Sequence, residues 1–405
     1  MTQIEKQLSE LNSWSESVED NFLSIYADVN PARPENTGKG WIIRVKNRLK
    51  EIPEIRNAEG KRDEPFYNKA LELLEQERPE ARTLALFLHR DKNNKLHALR
   101  LDLQIDLPVV DIAHGHVDAR FGAPYLTPLW YAADEYERTG ILLLDERKWR
   151  FFEIYLGEIQ EDQEIFAEAA AEDWQTLQEL SRRLSSELAS RAAKPGGRYD
   201  KLSHKERIAA RVSGWLHKFY TLTKRLLEKT VDKLAIDRIV LIGESWQVSH
   251  FETYLNSRLQ QKVIARLPLW PEVKDASPLA VWRKAEPAVV AHERQKELRL
   301  LAAIKEQPGI WGTDPVLDAL HMGRVKTWVL PWSLEQKIWI CKEEKYAAAT
   351  EELARILCDQ PELVPLREYA LQLAADYGCE IDFVRGEAEQ ELLNTMHGMA
   401  ALLRW

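Results

Sequence analysis

The sequence predicts an α/β protein of three mixed α/β domains, at residues 1–137, 138–272 and 273–405. Three observations carry this reading. A chain of 405 residues is long enough for two or three cores. Short runs of branched and aromatic residues alternate with helical patterns, as in sheets covered by helices. A new hairpin pattern near Arg138, and a stretch punctuated by Pro268, Pro271, Pro278 and Pro287, interrupt that alternation and suggest boundaries.

In the first domain Asn21–Val29, Thr83–Leu88 and Lys95–Leu103 read as strands, with helical periodicity around Trp41–Leu49 and Tyr67–Gln76. The second domain opens with "GILLLDERKWRFFEIYLGEI", two apolar runs about the polar turn Asp145–Lys148, hence a hairpin. A helical stretch, Ala167–Ala193, ends at Lys194-Pro195-Gly196-Gly197. Ser203-His-Lys-Glu206 then fits a capping box. Ile208, Val212, Trp215, Phe219, Leu222 and Leu226 follow at spacings of four and three, the buried stripe of one helix. "IDRIVLIG" reads as a buried strand and Ser249–Leu259 as a helix. The third domain alternates helix and strand through "HERQKELRLLAAIKEQ", "DPVLDALHMG", "RVKTWVL", "LREYALQLAADYG" and "EIDFVRG". Asp314 is the expected N-cap before Pro315, and Gly323 the expected stop.

Composition excludes several classes. A hydrophobic fraction of 45% is that of an ordinary globular chain. Apolar runs such as Ile141–Leu144 are too short to cross a bilayer, and Met1–Leu8 has no secretory apolar run. Cys341, Cys358 and Cys379 lack C-x-x-C spacing, which fits unpaired thiols in a reducing cytoplasm and argues against a zinc cluster. No metal or cofactor is expected. The 14 tryptophans are expected to anchor cores and interfaces.

The net charge of -9 conceals an asymmetry. Arg191–Lys229 holds about eleven Lys or Arg against three acids, whereas Gly157–Thr176 holds about seven acids and no Lys or Arg. At about 100° per residue, Arg207, Arg211, Lys218, Arg225 and Lys229 fall within roughly 40° of one another, beside the expected apolar stripe. Such a row suits a phosphate backbone. The plainer reading is a solvated helix face, but such a face would normally intersperse acids, and only Glu206 and Glu228 do so here.

Gly196 and Gly197 allow a backbone to approach a substrate closely, and main-chain N–H groups there could hold a developing oxyanion. Arg198 offers a permanently charged fork for phosphate or RNA. A Gly-Gly pair alone is more often a simple connector. His114 and His116 have no identifiable further metal ligands. Asp145 is explained by turn chemistry, although a metal-dependent nuclease would place an acid there. Gly38-Lys39-Gly40 lacks the P-loop spacing, and no G-x-S-x-G or G-x-G-x-x-G element is present.

The order of elements from about residue 138 onward resembles the archaeo-eukaryotic class I release factors and Pelota, as a bacterial member of that superfamily. The stretch "KPGGRYDKLSHKERIAARVSGWLHKFYTLTKRL" is similar to that family's Gly-Gly-Gln loop and basic helix, with His217, Phe219 and Tyr220 at its His-x-Phe/Tyr element. "IVLIGESWQVSHFETYL", "ERQKELRLLAAIKEQPGIWGTDPVLDALHMGRVKTWVL" and the closing "MAALLRW" resemble its later elements. Arg198 stands where the family has Gln, and no Asn-Ile-Lys-Ser element of codon reading is present. The resemblance implies an RNase H-like middle domain and a last domain in which helices flank a sheet. It implies a ribosome-binding translation factor of rescue or hibernation type, entering the A-site region without codon reading. The implied partners are ribosomal RNA, P-site tRNA and a translational GTPase. Lys194, Arg198, Lys201, Lys205, Arg207, Arg211, Lys218 and Arg225 are the expected RNA contacts. The alternative is a peptidyl-tRNA ester hydrolase acting through Gly196, Gly197 and Arg198.

Overall fold

In the computed structural model the described residues are 7–8, 10–11, 13–14, 22–52, 64–75, 81–91, 95–107, 117–145, 149–163, 165–166, 175, 179, 182, 204–273, 275–306, 308–332 and 336–405, with backbone alone for 64–65, 204–213 and 367–368. The architecture is mixed α/β, with helices distributed among four sheets. The chain divides into two compact units, residues 136–293 and residues 1–135 with 294–405.

The N-terminal sheet is antiparallel throughout, formed by β1 (Phe22–Asp28), β2 (Thr83–Arg90), β3 (Leu96–Leu103) and β4 (Val117–Gly122) in the order β3-β2-β1-β4. Alternate residues Leu23, Ile25 and Ala27 of β1 face a core completed by α1 (Gly40–Glu51) and α2 (Glu64–Glu75). A further helix, α3 (Thr127–Glu135), follows β4.

The unit of residues 136–293 is built on a five-stranded sheet. Its strands are β5 (Thr139–Leu144), β6 (Trp149–Tyr155), β7 (Glu158–Asp162), β8 (Arg238–Gly243) and β9 (Val263–Pro268), in the order β7-β6-β5-β8-β9. The expected hairpin is present as β5 and β6, paired Thr139 to Ile154 through Leu144 to Trp149. β5, β8 and β9 run parallel, so both faces of the central strands need cover. Leu142, Leu144, Trp149, Ile239 and Leu241 meet the long helix α4 (His204–Lys233) on one face. Ile141, Leu143, Val240 and Ile242 point to the other face, where they meet Val281, Trp282, Ala285 and Val289. Runs such as "GILLL" and "RIVLIG" are apolar without alternation for this reason. At a strand end, Arg238 donates to Glu137 at 2.7 Å and pairs with Glu293, with both side chains of the latter pair 3% exposed.

Two readings of this unit are corrected. Ser249–Leu259 is not one helix but α5 (Ser245–Glu252) and α6 (Ser257–Lys262). The Asn256 side chain accepts from Leu259 N at 2.9 Å and starts a new helix there, as an N-cap amide does. The proline-rich stretch is also more regular than its composition suggests. Pro268 ends β9, Pro271 opens a single 3₁₀ turn, and Pro278 begins α7 (Pro278–Glu306), which continues through Pro287. The division between the two units falls within α7, after Glu293.

The remainder of the chain forms a four-stranded sheet from β10 (Gly309–Trp311), β11 (Val325–Pro331), β15 (Glu380–Val384) and β16 (Ala400–Leu403), in the order β10-β16-β11-β15. Leu301 and Ile304 of α7 pack on Val329, Val384 and Ala400 with Ala388 and Leu392 of α11 (Gly386–Thr395). Between β11 and β15 come a small antiparallel sheet of β12 (Lys337–Cys341), β13 (Tyr346–Ala348) and β14 (Glu362–Pro365), which the sequence reading missed, and the helix α10 (Leu366–Tyr377). The expected unpaired thiols are likewise corrected. Cys341 and Cys358 form a disulfide with Cα atoms 6.0 Å apart, because the end of β12 folds onto the turn after α9 (Glu351–Ala354) around Ala348 and Ala354. Cys379 is a free thiol, pushed up to about 11 by burial. The helix α8 (Thr313–His321) starts two residues earlier than expected, with Gly312 rather than Asp314 as N-cap. Gly323 follows its end at a φ of 66°, as a glycine stop should.

Candidate nucleic-acid interface

The helix predicted after the glycines is real and continuous over 30 residues. Its buried side differs from the expected stripe. Leu216, Phe219, Tyr220, Leu226, Leu227 and Val231 are buried with Thr223 and Thr230, while Trp215 and Leu222 pack only partly against the same core. The expected stripe ran through Trp215, Phe219, Leu222 and Leu226 and left out Leu216, Tyr220 and Leu227, which are buried. The middle of the buried face therefore lies one position further along the helix.

Tyr220 belongs at this centre because of the rings that receive it. Trp149 is buried with ring centroids 5.2 Å from Phe219, 5.6 Å from Tyr220 and 5.0 Å from Phe251. Burial pushes the Tyr220 phenol well above its usual range, helped by neighbouring Tyr254. The two aromatic residues of the His-x-Phe/Tyr element thus hold α4 to its sheet, while His217 is exposed. Its Nδ1 lies 3.3 Å from the Tyr254 hydroxyl.

Rotation of the buried face changes where the cations stand. Lys218, Arg225 and Lys229 project about 145° from its middle, so they point away from the core rather than running beside it. All three are exposed, and none pairs with a carboxylate among the described residues. Several other cations of the unit are paired: Arg258 with Asp232, Arg266 with Glu252, Lys224 with Glu228 at 3.3 Å. His217, Lys218, Thr221, Leu222, Lys224, Arg225 and Glu228 line one shallow hollow on α4. Glu228 is occupied within it, accepting from Asn256 Nδ2 at 2.6 Å.

Of the expected RNA contacts, Lys218 and Arg225 lie on this outward face. Lys205, Arg207 and Arg211 lie on α4, with only their backbone described. Lys194, Gly196, Gly197, Arg198 and Lys201 lie outside the described residues, as do Ser203, His114, His116 and almost all of Ala167–Ala193. The sequence reading did not single out His250 or Tyr254, whose rings lie 5.6 Å apart beside His217. Their spacing of four, directly after a buried strand, was the available signal. Asp145 is buried at the end of β5. Among the described residues, Cys341, Glu344 and Cys358 bring three metal-ligand atoms within 4.8 Å, but the two sulfurs are joined to each other. No described helix is long and apolar enough to cross a membrane.

A hairpin, a long basic helix and a parallel strand behind it follow one another in this unit. Residues 124–289 match the family described as Bacterial archaeo-eukaryotic release factor family 10. Similar solved structures include an archaeal translation termination factor, 14% identical over 99% of this chain and 98% of its own, with a TM-score of 0.24. The translation termination-like factor Dom34 of S. cerevisiae is 10% identical over 80% of this chain and 79% of its own, with a TM-score of 0.38. Archaeoglobus fulgidus Pelota is 12% identical over 81% of each chain, with a TM-score of 0.30. No curated protein matches the chain.

Proposed function

We propose that this protein is a ribosome-binding translation factor of rescue or hibernation type, entering the A-site region through its central domain and reading no codon. The observation that carries this reading is the outward row of Lys218, Arg225 and Lys229, held without partners among the described residues on a helix whose other side is locked in a core. A row of cations without internal partners is free to displace counterions from a phosphate backbone. Arg207 and Arg211 stand at the same helical phase on the same helix, and Lys194, Arg198, Lys201 and Lys205 precede it in sequence. The Gly196-Gly197-Arg198 loop would be directed toward the peptidyl-transferase centre and P-site tRNA, with a translational GTPase as the delivering partner.

Co-sedimentation with ribosomes tests the proposal. Binding is expected to weaken steeply as salt rises and to be lost in K218E/R225E. Binding indifferent to both would overturn it. Retention of Gly196 and Gly197 keeps a second reading in play, hydrolysis of peptidyl-tRNA esters through backbone N–H groups. Peptide release from loaded ribosomes, compared with G197A, decides between them. Release no greater than that of the variant leaves the binding role alone.

A further inference from the structure

We infer that the hollow on α4 and the ring cluster at its end form a site for single-stranded RNA, with an unstacked base against His217 and Tyr254 and its phosphates on Lys218 and Arg225. The inference rests on the reading that α4 faces RNA and adds the form of RNA that it takes.

The rings are the first argument. His217 is exposed, and its centroid lies 5.5 Å from that of half-buried Tyr254. Exposed His250 lies 5.6 Å from the same Tyr254 ring. Buried Tyr220 sits beneath, 5.4 Å from both Tyr254 and His250. An exposed imidazole backed by fixed rings offers a base a preorganised π-face, and alanine substitution at such contacts weakens binding by about tenfold or more per base.

The second argument is what adjoins the rings. Lys218 follows His217 directly, and Arg225 lies two turns further along the same face, about 10 Å away. Between them the hollow offers the Leu222 side chain and Thr221. Its one carboxylate, Glu228, is held by Asn256 and Lys224, which reduces its repulsion of a phosphate. A duplex keeps its bases stacked inside and would use the cations alone, whereas unstacked bases can reach the rings.

The test is fluorescence anisotropy with the full-length protein, using labelled single-stranded RNA oligonucleotides and their matched duplex over a range of salt. Wild type is expected to bind the single strand more tightly. His217→Ala is expected to lower that affinity about tenfold without changing the dependence on salt. His217→Phe is expected to restore most of it. Lys218→Ala is expected to reduce the slope of log affinity against log salt by about 0.7. His217 is exposed, so the alanine variant should fold, and circular dichroism checks this. Unchanged affinity in His217→Ala, or equal affinity for duplex, overturns the inference. Ribosome co-sedimentation separates the two levels. Single-strand binding as described without ribosome binding refutes only the ribosomal reading. Ribosome binding that depends on Lys218 and Arg225 without affinity for single strands refutes this site and assigns the face to another ribosomal component.

Discussion

Arg238 and Arg225 belong to the same compact unit, yet their circumstances are opposite. Arg238 is 3% exposed, donates to Glu137 at 2.7 Å and pairs with buried Glu293. Arg225 stands exposed without a carboxylate partner among the described residues. The first arrangement uses charge inside the fold, at a desolvation cost that the two carboxylates offset. The second leaves the charge on the surface, where burial does not desolvate it. Charge counting along the sequence cannot tell these apart, because both are arginines next to apolar residues.

Three experiments would break or sharpen that contrast. The largest effect is expected for Glu293→Gln, which leaves a buried guanidinium with one carboxylate fewer and should destabilise the unit by about 3–5 kcal/mol in denaturant unfolding. A loss below 1 kcal/mol would show that Glu137 alone suffices. Next, K218E/R225E should lower RNA affinity about tenfold or more while leaving stability within about 0.5 kcal/mol. A large loss of stability there would mean that the outward row has a structural role. The smallest effect is expected for Arg266→Ala, which breaks an exposed pair and should cost less than about 1 kcal/mol. That cost has a direction in pH. The Arg266 guanidinium hydrogen-bonds Glu252 and holds its carboxyl below the usual range. The contribution is thus full above the unfolded carboxyl value of about 4.3 and is lost as pH falls through the lower folded value. Wild type and variant should differ at neutral pH and converge in acid; a constant difference would count against the pair.

Much of the fold was legible where burial enforces a simple pattern. The strands β1, β2, β5, β6 and β8 carry apolar runs that leave little choice, and Gly378, in the left-handed conformation, ends α10 as its "DYG" suggests. The misreadings share a cause in tertiary context. β7 and β9 are edge strands with polar, half-exposed residues, and edge strands need no apolar run. Asn256 restarts a helix through one side-chain hydrogen bond, which periodicity does not register. Cys341 and Cys358 are 17 residues apart and meet only because a small sheet closes between them. The site was legible as a row of cations on a helix, but its direction was not. That depended on Tyr220, a residue with a polar group that Trp149 and Phe251 draw into the core.

The parallel strands β5 and β8 also supply a means of timing. Both are buried along their whole length, with α4 packed on one side of the sheet and the first half of α7 on the other. Amides such as those of Leu241 and Ile242 can exchange with solvent only when the whole unit opens. A ligand on α4 touches none of them, yet it stabilises the closed state by an amount that grows with the logarithm of its concentration above Kd. Slowed exchange deep in the sheet would therefore report binding on the outer face of α4.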